Sequence, residues 1–532
     1  MEKHKINRKE RVFIVACGLM SAFMVLMSSL KYGPGFTHDS AAYMYAAQSL
    51  LYGEGFQYFG YVSPYIQWPP LFPAMLAIAG AAGLNSLTAA LIINSLSYAL
   101  MVFFAGKWLF SRSSCRTIAA CGTILLVLSV PLLQVSKFLW TEITFILFFF
   151  LFFIQFERFI LEGQYSSLTS AAVFSALACL DRYAGVVIIG TAGIILLLSG
   201  GSLIKRIKNA AFYGIISSLP IGIWVIRNYI VSSTLLGVRT PSPYTLRQNV
   251  ERTLKALYTW IQPENYLAIS APAIMIFIMK AFAILLPVIV AALFICLSVK
   301  RLVSNRTPQT KGHYMLHDSF FVEKEALFPI IFFIFFSAVY LIYLVASATA
   351  IAFEPINSRY IVPVYIPAAL AVLAAADYLY EHLNINGGKK QFVYATYIVA
   401  VCYLIYPFLN TVSAVSYSYR NGAGGYAVEQ WHKDTDFVEY MKDGQASYYS
   451  NYADAVYYSS GIRTFSLPKK VGPAMYGIEG FKHAVANDKV SYLIWFNKGI
   501  SSSYYNPDEL AGRFSLKIVG NFKNGSVFKI EQ

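Results

Sequence analysis

Two isolated acids are the first residues in this sequence that call for a chemical reason. Asp39 is the only acid between Glu10 and Glu54, and it lies just past a hydrophobic run, in Thr37-His38-Asp39-Ser40-Ala41-Ala42-Tyr43. Glu142 is the only acid from 55 to 156 and opens a run rich in phenylalanine, directly after Lys137-Phe138-Leu139-Trp140-Thr141. An acid where lipid gives way to water either satisfies a helix N-terminus or serves a site where a proton must be taken. Each acid alone leaves both readings open, and as a pair at one membrane face they suit acid–base chemistry. Arginines stand at similar boundaries: Arg182 after Asp181, Arg227 before Asn228, and Arg359 in Asn357-Ser358-Arg359-Tyr360. Singly, each reads as a side chain snorkelling to the interface. Several at one face can hold an anion, and the planar guanidinium fork suits phosphate.

The elements that must position these residues are membrane helices. Of 532 residues, 57% are hydrophobic and only 13% charged, and the mean hydropathy is +0.53. That composition defines a mostly α, polytopic membrane protein. The net charge of +15 is dispersed between apolar runs, which points to cytoplasmic loops and away from nucleic acid. Runs near the 20 residues needed to cross a bilayer fall at 12–30, 86–109, 117–134, 142–160, 209–229, 272–298, 327–349, 361–380 and 392–412. The stretch 168–199 is long for one span, and Leu180-Asp181-Arg182-Tyr183 interrupts it, so it reads as two short helices, 168–180 and 184–199. The expected total is 11 spans. With the N-terminus in the cytoplasm, the inner segments hold 17 Lys/Arg in 73 residues and the outer ones 8 in 118. This asymmetry obeys the positive-inside rule and puts the C-terminus outside. The first apolar run follows a basic N-terminus but no small-x-small cleavage site, so it reads as a retained span.

The first outer loop, 31–85, holds a helix over 39–52, then Trp68-Pro69-Pro70-Leu71-Phe72-Pro73 and a short apolar segment, 74–84. It reads as a loop dipping back into the interface, where aromatic residues favour such a depth. Residues 244–260 read as an amphipathic surface helix. The cytoplasmic loop 299–326 is basic and carries no Gly-rich phosphate loop, which weakens any nucleotide-driven chemistry. Beyond 412 the composition turns mixed and polar. A helix is expected over Asp434–Lys442, strands over Ala446–Asn451 and Val490–Phe496, and a hairpin of Phe514–Phe522 and Ser526–Ile530 around Asn524-Gly525. The chain thus divides into a membrane module, 1–412, and a small extracytoplasmic α/β domain, 413–532. Its tyrosines 448, 449, 452, 457 and 458 read as core packing ahead of sugar contact. The six cysteines show no C-x-x-C or Cys/His spacing, so neither a disulfide framework nor a cysteine metal site is expected.

The ordered set of these features resembles the C-type glycosyltransferase superfamily: an acid after the first span, a W-P-P-L turn in a long outer loop, an acid opening a later span, an outward R-N pair and an R-Y-x-x-P element. The sequence is similar to bacterial protein O-mannosyltransferase-like and lipid A aminoarabinose transferase-like enzymes. The resemblance implies an inverting transfer of a monosaccharide from a polyprenyl-phosphate donor to a glycan, lipid or protein acceptor, at the outer face of a bacterial inner membrane. It implies Asp39 as general base and Glu142 as an assisting acid. Many relatives carry Lys before the Pro-Pro-Leu turn. Here Trp68 stands there, so Arg182, Arg227 and Arg359 become the candidates for the donor phosphate. Lys137, His38, Tyr43 and Trp68 complete the expected substrate-binding set. No metal ligand is named, and a divalent cation stays open as a cofactor because members of the superfamily differ on it. A flippase of lipid-linked glycans, or a polysaccharide polymerase or ligase, stands as the alternative.

Overall fold

The computed structural model describes residues 5–61, 63–261, 277–278, 281, 285–295, 315–352, 354–383, 389–433, 435–470, 477–497 and 503–531. They group into two compact units. The first comprises Met1–Met27, Ile92–Lys137 and Thr141–Tyr417, and the second Ser28–Leu91, Phe138–Trp140 and Ser418–Gln532. This grouping cuts the chain differently from a division at 412, because the first long loop falls in the same unit as the C-terminal sheet.

The first unit is helical, and the described chain is that of a multi-pass membrane protein. Among the described residues, seven helices are long and apolar enough to cross a bilayer. These are α1 (Arg8–Ser29), α4 (Ser86–Arg112), α7 (Glu142–Glu162), α10 (Leu203–Ser232), α13 (Met315–Ala350), α14 (Ser358–Leu383) and α15 (Lys389–Asn421). The run expected at 117–134 is instead a bent pair, α5 (Arg116–Val127) and α6 (Val130–Ser136), meeting at 42°. Ser129 caps α6 by accepting from Leu132 N, and Pro131 sits in its first turn, so the sequence starts a new helix there. The stretch 168–199 forms two helices, α8 (Tyr165–Asp181) and α9 (Val186–Leu198), joined by a single 3₁₀ turn. That turn needs Gly185, since a Cβ there would lie 2.6 Å from Cys179 N. The surface helix expected at 244–260 is α11 (Leu246–Ile261). Of the span expected at 272–298, only 277–278, 281 and α12 (Leu285–Ile295) lie within the described residues.

Phenylalanine packing fixes α7. Phe149, Phe150, Phe152, Phe153 and Phe156 are fully or almost fully buried. Phe149 stacks on Phe336 of α13 with centroids 4.3 Å apart, and Phe153 meets Phe333 at 4.3 Å. Such pairs add about 0.5–1.5 kcal/mol each beyond burial, so the start of α7, where Glu142 lies, is rigidly set.

In the second unit, α2 (His38–Leu51) and α3 (Leu71–Ala81) lie in the first long loop. With 11 residues, α3 is about 16 Å long, too short to cross a bilayer. It begins at the proline cluster, where missing N–H donors cost no helix bond. The C-terminal sheet has the order β4 (Thr464–Ser466), β3 (Ser447–Ser450), β5 (Ser491–Phe496), β7 (Gly525–Glu531), β6 (Ser515–Phe522). β3 runs parallel to β4 and β5, while β7 is antiparallel to β5 and β6. Alternation along β3 and β5 sends Tyr448 and Ile494 to one face and Tyr449 and Leu493 to the other, so both faces are covered. Tyr448, Tyr449 and Tyr457 are buried, and their role is core packing. The helix expected at 434–442 is instead a short α16 (Glu429–Lys433) and a 3₁₀ turn, Asp436–Tyr440. There Phe437 and Met441 reach the sheet core together.

Candidate active site

Three helix ends of the first unit meet at Glu142. It is the first residue of α7 and is completely buried. Its Oε1 accepts from Arg182 Nη1 at 2.5 Å and from Arg359 Nε at 2.6 Å. Arg182 directly follows α8, and Arg359 is the second residue of α14, its own N–H bonded to Asn357 Oδ1. Arg182 Nη1 also donates to Thr141 Oγ1 at 2.9 Å. Glu142 Oε2 is buried and has no hydrogen-bond partner among the described residues.

Two guanidiniums on one carboxylate oxygen give the trio a net charge of +1 in a site shielded from water, where charge acts strongly. Asp181, 2% exposed, is held through Oδ2 by Thr144 Oγ1 at 2.7 Å, and tempers that charge when ionised. The arrangement can receive an anion. It does not suit a divalent cation, since Glu142 Oε1 is already taken by two cations. Among the described residues there is no group of three or more His, Cys, Asp or Glu able to hold a metal.

Arg227 lies over the Trp224 ring at 4.8 Å and donates to Asn228 Oδ1. Trp224 Nε1 in turn donates to Tyr183 OH at 3.1 Å. Lys137 is buried at the C-terminal end of α6.

His38, Asp39, Tyr43 and Trp68 belong to the second unit. The start of α2 is capped by Thr37 and Ser40, whose hydroxyl accepts the Thr37 N–H at 3.0 Å. Ser40 Oγ donates to Leu139 O, and Trp140 Nε1 donates to Thr37 Oγ1 at 2.8 Å. Asp39 therefore does not serve as the cap residue, and it is partly exposed in the first turn. Its neighbour His38 is bracketed: Nε2 bonds Tyr58 OH at 2.8 Å and Nδ1 faces Asp454 Oδ2 at 3.3 Å. Trp68 stacks between Tyr58 and Tyr65, at 5.9 and 5.8 Å, with the edge of Tyr43 at 6.1 Å. Tyr58 and Asp454 as partners of His38 are not legible from the sequence. The only available signal was the tyrosine-rich context of α17 (Ala453–Ser460).

Packing around the His38 ring opposes its proton, but the Asp454 bond and charge, with the Asp39 charge, outweigh this and raise its pKa above the ordinary value. A raised folded-state pKa stabilises the fold below the unfolded value, near 6.5, and that stability is lost as pH rises through the folded value. Thermal unfolding of wild type and His38→Gln across pH 5.5–8.5 should show the wild-type advantage shrinking as pH rises. An advantage independent of pH would mean that the Asp454 contact does not depend on the proton.

No family model and no curated protein matches the sequence. The fold is shared with ArnT, AglB and AftD, in keeping with the resemblance to C-type glycosyltransferases. The chain is similar to ArnT from Cupriavidus metallidurans in the apo state (TM-score 0.54, 12% identity, 97% of each chain covered). It is similar to the same protein bound to undecaprenyl phosphate (TM-score 0.55, 13% identity, 97% of each chain). It also resembles the archaeal oligosaccharyltransferase AglB from Archaeoglobus fulgidus in complex with an inhibitory peptide and a dolichol-phosphate (TM-score 0.51, 14% identity, 92% of this chain and 70% of AglB). At these identities the likeness is one of fold.

Proposed function

We propose that this chain is an inverting glycosyltransferase that moves a monosaccharide from a polyprenyl-phosphate donor to an acceptor hydroxyl. The observation that carries the reading is the buried Glu142–Arg182–Arg359 trio, a preset positive cluster for a leaving phosphate. ArnT bound to undecaprenyl phosphate and AglB bound to a dolichol-phosphate share its fold, which supports a lipid-phosphate donor. Asp39 takes the acceptor's proton. Arg182 and Arg359 stabilise the departing phosphate, and Glu142 holds them in place rather than taking a proton itself. The Lys/Arg asymmetry supports a bacterial inner-membrane location with the N-terminus cytoplasmic and the C-terminal domain, 413–532, outside.

Deleting the gene and weighing the lipid-linked intermediates tests this reading. Accumulation of a polyprenyl-phosphate monosaccharide is expected, and its mass names the donor sugar. Accumulation of a lipid-linked oligosaccharide would replace the reading with a polymerase or ligase. Net flipping of lipid-linked glycans by the purified chain in liposomes, without sugar transfer, would replace it with a transporter.

A further inference from the structure

The first unit contains a cavity of about 590 Å³ lined by α5, α6, α11, α12, α14 and α15. That lies within the roughly 300–1,000 Å³ of small-molecule sites. None of its lining residues is charged. Along α14 it runs from Tyr365 to Tyr380, about 22 Å at 1.5 Å per residue, past small residues such as Ala368, Ala369 and Ala376.

One end of this apolar shaft is polar. Trp260 Nε1, Tyr406 OH and Asn410 Oδ1 line the cavity and are buried with no hydrogen-bond partner among the described residues. Asn410 is 1% exposed and Tyr406 5%. Tyr406 and Asn410 are four residues apart on α15 and share a face. Thr411, beside Asn410, donates Oγ1 to Leu128 O at 2.8 Å. The next residue, Ser129, lines the cavity with Tyr365, and Tyr365 meets the Trp260 ring at 5.4 Å. These contacts tie Asn410 to the Leu128–Ser129 bend and Trp260 to Tyr365, all of them lining the same cavity.

Buried polar atoms are normally paired, and three orphans in one cavity point to a missing partner. An indole N–H requires an acceptor, an amide oxygen requires a donor, and a phenol takes either. A hydrocarbon tail meets none of these needs. An ester accepts but cannot serve Asn410. A phosphate would bring its charge where no cation stands. A hydroxyl both donates and accepts.

We infer that this cavity binds an uncharged single-chain lipid with a hydroxyl head, its chain along α14 and its head among Trp260, Tyr406 and Asn410. The site is separate from the Glu142 trio and does not depend on the transfer reaction.

The test is native mass spectrometry of the delipidated full-length chain titrated with three probes: 1-monooleoylglycerol, methyl oleate and oleoyl lysophosphatidic acid. The monooleoylglycerol should bind one per chain, about tenfold more tightly than either of the others. Tyr406→Phe, which keeps the ring's shape, and Asn410→Leu should each weaken it several-fold, and Ala369→Trp, which fills the shaft, should abolish it. Equal binding of all three probes would overturn the inference, as would a preference that survives Tyr406→Phe, Asn410→Leu and Ala369→Trp alike.

Discussion

Asp39→Asn should leave the chain folded and inserted while lowering sugar transfer from a polyprenyl-phosphate donor by roughly 10²–10⁴-fold. An acceptor hydroxyl is a poor nucleophile until its proton is taken, and an amide of the same shape cannot take it. The substitution is structurally mild for a reason visible at the start of α2. Thr37 and Ser40 form the cap there, so the helix does not rely on the Asp39 carboxylate for its first turn. The charge at the helix N-terminus contributes about 0.3–1 kcal/mol, and the Asp39 charge also acts on His38. The variant's thermal midpoint should therefore stay close to wild type. Transfer assays on the purified variant, alongside that midpoint, separate the two effects. Wild-type turnover would remove Asp39 from the chemistry. Lost turnover together with a collapsed midpoint would make its role structural.

The isolation of Asp39 and Glu142 was legible because an acid in an apolar run stands out against its neighbours. So was α2, which lies within a residue of the expected 39–52, and the β6–β7 hairpin, whose turn chemistry is local. The partners were not legible. Glu142 meets Arg182 and Arg359 at sequence separations of 40 and 217, and His38 meets Asp454 near the other end of the chain. No periodicity encodes such pairings; packing of whole helices and strands decides them. The same limit governs the arginines. Arg182, Arg227 and Arg359 looked alike as outward-facing boundary residues, yet two converge on a carboxylate and the third lies over Trp224. The bend at Ser129 was missed for the opposite reason. Its cap and proline are local signals, but they sit inside a hydrophobic run whose length alone suited one span.

The second large effect is expected at Glu142. Glu142→Ala would leave Arg182 and Arg359 facing each other in a buried site without the carboxylate that both use, and breaking a buried pair in this way costs about 3–5 kcal/mol. Glu142→Gln keeps an oxygen in position to accept from both arginines but removes the charge, so it should cost less and leave a folded chain. The functional signature should differ from that of Asp39→Asn. If Glu142 sets the arginines that hold the donor phosphate and stabilise it as it departs, Glu142→Gln should raise KM for the polyprenyl-phosphate donor by about tenfold and lower kcat as well, because the arginines act in both the ground and the transition state. Arg359→Gln should act in the same direction, and the double variant should fall short of the sum, because the two residues share one interaction. Additive effects would separate them, leaving Arg359 to act without Glu142. A Glu142→Ala chain as stable as wild type would show that the arginines are held by other contacts, and the preset positive cluster would lose its physical basis.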